Sequence, residues 1–160
     1  MLIDDEVIKR LSELDLHLYN DVNNWAVKCL EKGFDSPSLR ILASMQGNYS
    51  PSEYDVYLKR SLNELGWDKI ARKEYLLRYA KIVAKQIIDE EREPFGAARE
   101  IYQILLDLEY PSELYDWIEI DEMIWDYNYY LETGNKGYYF REKEKLIEEI
   151  KKMAKETIDK

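Results

Sequence analysis

The chain has 160 residues, of which 46% are hydrophobic, with a single cysteine and a formal net charge of −10. That size suits one domain with its own core, and the composition excludes a disordered or fibrous chain. Cys29 alone excludes an intrachain disulfide and suits a reducing compartment. The start, MLIDDEVIKR, is acidic and lacks the apolar core of a signal peptide. No apolar run approaches the roughly 18 residues of a membrane span, so a soluble cytoplasmic protein is expected.

Hydrophobic spacing predicts helices along the whole chain. Val7, Leu11, Leu14, Leu18, Val22, Trp25 and Cys29 recur by threes and fours, which places them on one stripe. The polar residues Asn20, Asp21, Asn23 and Asn24 favour caps over helix interiors, consistent with two helices joined near residue 20. Gly33 can then close the second with a left-handed cap.

Ser36-Pro37 supplies an N-cap followed by a proline at the first helical position, where the missing N–H costs nothing. Leu39, Leu42 and Ala43 face inward until Gly47. Ser50-Pro51-Ser52-Glu53 repeats the device with a capping-box glutamate, and that helix runs to Gly66 with Tyr54, Leu58, Leu62 and Leu65 inward. Asp68 is expected to cap the next helix, which carries Ile70, Leu77, Ala80, Ala84 and Ile87. Ile101, Leu105 and Leu108 mark a helix that ends before Pro111. Trp117, Ile120, Ile124, Tyr127 and Leu131 form the stripe of another, broken at Gly134 and Gly137, and the last uses Phe140, Ile147, Ile150 and Ala154. The fold class is therefore all-α: a single compact bundle of about seven or eight helices with short loops, spanning 1–160 as one domain.

Within "EKGFDSPSLRILASM", residues 31–45, Gly33, Asp35, Ser36, Pro37, Leu39, Arg40, Leu42 and Ala43 form a G-x-D-S-P-x-L-R-x-L-A stretch. It resembles a pattern of small uncharacterised all-helical bacterial proteins. The resemblance implies a bacterial cytoplasmic helical protein and assigns no residue a role. The stretch reads as a helical corner.

The charge is unevenly placed. Residues 100–135 hold ten acids and no lysine or arginine, while the other 23 acids equal the 23 bases of the chain. Such a surface repels phosphates, so direct binding to nucleic acid or an anionic membrane is not expected. The same segment is rich in tyrosine and tryptophan. At about 100° per residue, Glu119, Glu122, Asp126 and Tyr129 fall opposite the apolar stripe and face solvent, with Trp125 beside them. Rigid aromatics and a single-signed field suit a basic protein partner. A competing reading has the helix that bears Lys69, Arg72, Lys73, Arg78, Lys81 and Lys85 packing nearby and offsetting the charge.

Other chemistry is thinly represented. His17 is the only histidine. With Glu13 and Asp21 it would share a face of a continuous helix and could in principle hold a metal, but a histidine flanked by helix charges is the leading expectation. Cys29 lies on an apolar stripe, as a buried structural thiol does. Arg40 is open to an anion or to solvent. The pairs Glu90-x-x-Glu93, Glu113-x-x-Asp116 and Glu119-x-x-Glu122 resemble the ExxE and ExxD pairs of helical nucleotide pyrophosphohydrolases, which imply Mg²⁺ held between facing helices. No phosphate loop or nucleophile elbow is present. The leading expectation is an acidic protein-interaction module without a cofactor, in its most concrete form an immunity-type inhibitor of a basic, nuclease-like protein. The alternatives are a metal-dependent nucleotide hydrolase and a self-associating, homo-oligomeric helical protein.

Overall fold

The computed structural model describes residues 3–16 and 21–160. Among them are eight α-helices, two single 3₁₀ turns and no strand, so the chain is all-α. It forms two compact units, Met1–Tyr79 and Ala80–Lys160. The division falls within helix α5, Arg72–Ile88.

The first unit is built on well-capped short helices. Asp4 opens α1 (Asp5–Asp15) by accepting the Glu6 N–H at 2.7 Å. Asp21 opens α2 (Val22–Glu31) by accepting the Asn24 N–H at 2.6 Å, so the long apolar stripe does divide into two helices. Gly33, at φ +92°, then takes the left-handed turn that an L side chain resists. Ser36 caps α3 (Pro37–Ser44) through the Leu39 N–H at 3.2 Å. Ser50 and Glu53 complete the capping box of α4 (Pro51–Glu64). Val7, Leu11, Trp25, Ala26, Cys29, Leu39, Leu42, Met45 and Trp67 form the core, with Tyr54, Leu58, Leu62 and Leu65 packed on it half-buried.

Asp68 does not cap α5. Residues Trp67–Lys69 make a 3₁₀ turn, and α5 begins only at Arg72. The Trp67 ring is lodged edge-on against Trp25 and Phe34, with centroids at 6.2 and 4.9 Å. This aromatic cluster ties down a tight turn where local sequence favoured an immediate helix. The Asp68 carboxylate instead accepts from Asn63 Nδ2 at 3.0 Å.

In the second unit α6 (Pro94–Asp107), α7 (Trp117–Thr133) and α8 (Lys143–Asp159) each pack against the other two. Glu93 caps α6, accepting from the Phe95 and Gly96 N–H groups at 2.8 and 2.7 Å. The buried stripes are Ala97, Ala98, Ile101, Ile104 and Leu105 on α6, Trp117, Ile120, Met123 and Ile124 on α7, and Leu146, Ile150 and Ala154 on α8. Two expectations are corrected. Phe140 precedes α8 and lies against Tyr130, at 4.7 Å between centroids. Leu131, placed by periodicity on the apolar stripe, is 63% exposed.

Candidate interaction face

The outer face of α7 is fixed from its buried side. Trp117 is 1% exposed, and its indole N–H donates to Thr157 Oγ1 of α8 at 2.8 Å. With that residue held inward, the helical repeat turns Glu119, Glu122, Trp125 and Tyr129 outward, and all four are exposed. Trp125 is 60% exposed and stacks on Tyr129, one turn later, with centroids 5.3 Å apart and planes 10° from parallel. Residues four apart on a helix are surface neighbours, so the two rings form one plate. Glu122 lies three residues before Trp125, on the same side.

Asp126 does not belong to this face. It is 6% exposed, because the segment after α7 folds back across it. The Asp126 carboxylate accepts the Tyr139 N–H at 2.6 Å. A Cβ built on Gly137 would collide with the same carboxylate group, so only glycine lets the backbone approach this closely. The periodicity that pointed Asp126 away from the helical core is correct, but a second layer of chain covers it.

Two residues absent from the expected set join the neighbourhood. Burial raises the Asp121 carboxyl above the usual carboxylate range, with the Glu122 charge adding to the rise and Arg99 opposing it. Tyr102 of α6 is also raised, by its own desolvation first and then by Asp121, Tyr110 and Glu122. Carboxylates and phenols from α6 and α7 therefore share one field. The ten-acid run announced Asp121, whereas Tyr102 is brought in only by the packing of α6 on α7.

Three basic residues of α5 pair with acids outside the acidic run. Arg72 pairs with Asp15 at 2.7 Å, Arg78 with Asp5 at 3.1 Å and Lys85 with Asp89 at 2.5 Å, none of them in the acidic run. Within the run, Asp116 meets Lys160 at 3.1 Å and Glu100 meets Arg92. Glu119, Glu122 and Glu132 form no ion pair among the described residues.

The other sequence candidates are dispersed. His17 lies outside the described residues. The trio with Glu13 and Asp21 required a continuous helix, but α1 ends at Asp15 and Asp21 starts α2. Glu13 lies 3.0 Å from the buried Arg10 guanidinium. Of the paired acids, Glu90 binds Lys151 at 2.7 Å, Glu93 caps α6 and Asp116 binds Lys160. Among the described residues no group of three or more His, Cys, Asp or Glu is arranged to hold a metal ion. Arg40 grips Asp35 with both arms of its fork. Cys29 is fully buried, and desolvation pushes its thiol up to about 12. No helix among the described residues is long and apolar enough to cross a membrane. No protein-family model matches the chain, and no curated protein or solved structure matches it either.

Proposed function

We propose that the chain is an acidic protein-interaction module that docks a basic protein on the α7 face through Glu119, Glu122, Trp125 and Tyr129. An immunity-type inhibitor that blocks a nuclease-like partner is the most concrete form of this reading. The observation that carries it is the Trp125–Tyr129 plate, solvent-facing beside unpaired carboxylates in the segment that holds the net charge. Tryptophan and tyrosine are among the commonest anchors of binding energy at protein interfaces. A cationic side chain of the partner, above all arginine, can stack on the plate and reach a carboxylate at once. The field of the acidic run would speed the encounter and make it sensitive to salt.

The test is affinity capture from native lysate with wild type and with a Glu119→Lys, Glu122→Lys, Trp125→Ala variant. Mass spectrometry identifies the captured protein, and calorimetry with the purified partner follows at two salt concentrations. A basic protein held by wild type, released by salt and lost by the variant is expected. Identical captures on both, or a captured partner that is acidic, would end the proposal.

A further inference from the structure

On the first unit a cleft of about 640 Å³ opens between the start of α2, the segment after α3 and the first turns of α4. Its size is that of a site for a small organic molecule. Val22, Met45 and Leu58 give it apolar walls, with Tyr49 and Tyr54 set edge to face at 6.0 Å between centroids. Among the described residues, the charged ones that line it, Asp21 and Asp55, are both carboxylates.

The uncharged polar lining adds to the same bias. Asn23 donates its amide N–H groups to the Leu42 and Ala43 carbonyls at 3.2 and 2.5 Å, which leaves its oxygen as an acceptor. Asp21 accepts twice from Asn24, yet a carboxylate has about four lone-pair sites and so keeps capacity. Asp55 meets Lys59 at 2.7 Å, but both side chains are more than half exposed. Such a pair is held weakly and is readily exchanged. An apolar cleft with carboxylate charges, spare acceptors and tyrosine rings complements a cation with an apolar body.

We propose that this cleft binds a small organic cation, an ammonium group carried on an aromatic or aliphatic body. Asp21 and Asp55 serve the ammonium, while Met45, Leu58 and Tyr54 receive the body. The inference does not rest on the proposed role of the α7 face.

The probe is 2-phenylethylammonium chloride, titrated into the ¹⁵N-labelled full chain, with 2-phenylacetate as the charge-reversed control. Saturable amide shifts at Asn23, Gln46, Gly47 and Asp55 are expected, with phenylacetate producing none. An Asp21→Asn, Asp55→Asn double variant keeps α2 capped, because asparagine caps as well as aspartate. It should bind at least about fivefold more weakly, as loss of charge-assisted bonds requires. Absence of saturable shifts, equal binding of phenylacetate, or a smaller loss in the double variant would each overturn the proposal. Should the double variant fail to fold, the phenylacetate comparison on the wild-type chain decides alone.

Discussion

Asp126 and Tyr139 are joined across the reversal that follows α7, the aspartate carboxylate accepting the tyrosine backbone N–H at 2.6 Å. Gly137 passes so close that a methyl group there would occupy the carboxylate's space. Gly137→Ala should therefore cost about 1–3 kcal/mol, the usual range for overpacking. Asp126→Ala should cost a similar amount, about 1–3 kcal/mol, by stranding a half-buried donor. In the Asp126→Ala background the alanine at 137 should be nearly free of penalty, because the atoms it strikes are gone. Urea midpoints of the two single variants and the double variant would reveal the coupling; strict additivity would mean that the contact is not the cause.

A second buried bond ties α7 to α8. Thr157 Oγ1 accepts the Trp117 indole N–H at 2.8 Å and donates to the Met153 carbonyl at 2.9 Å. Thr157→Val keeps the volume but leaves a buried indole N–H without an acceptor, a loss of about 1–3 kcal/mol. Thr157→Ser keeps the hydroxyl and should recover most of that stability. Thermal melts of the three proteins suffice, and a serine variant no better than valine would assign the effect to packing.

Acid should loosen the corner between α3 and α4. Glu64 accepts the Ser38 N–H at 2.9 Å and the Ser38 hydroxyl at 2.7 Å. These bonds, the hydroxyl first, lower its pKa below the ordinary 4.5. A depressed carboxylate contributes stability above its unfolded pKa and loses it as pH falls through the folded value. Glu64→Gln should therefore be less stable than wild type at neutral pH and approach it below pH 4.5. A stability gap that stays constant from neutral to acid would refute the linkage.

Cys29 should resist modification in the folded chain. It is fully buried, with its thiol pushed up to about 12, and the reactive species is the thiolate. An aromatic disulfide reagent in mildly alkaline buffer should label it only at the rate of unfolding, and at once in denaturant. Rapid labelling of native protein would show that the core around α2 opens locally.

Helix starts were the most legible feature of the sequence. Ser36-Pro37 and the Ser50–Glu53 box act through side chains one to three residues from the groups they satisfy, so local reading suffices. Features made by distant chain were not legible. Asp126 looked solvent-facing because helical period reports one helix and cannot foresee a reversal laid over it. Asp68 looked like a cap because the Trp25–Trp67–Phe34 cluster spans more than 40 residues of sequence. Arg10, on a helix rich in charge, is 5% exposed and lies 3.0 Å from both Glu6 and Glu13. Nothing in its spacing separates it from a surface arginine. On α7, Glu119, Glu122, Trp125 and Tyr129 were legible, because their exposure follows directly from the buried stripe.

The unequal placement of the four tryptophans has an optical consequence. Trp25, Trp67 and Trp117 are at most 6% exposed, whereas Trp125 is 60% exposed. Caesium in solution, a cationic quencher drawn to the acidic face, should therefore quench the emission of Trp125 and leave the other three nearly untouched. The quenchable fraction reads the occupancy of the α7 face without any label, and a ligand that covers the plate would silence it.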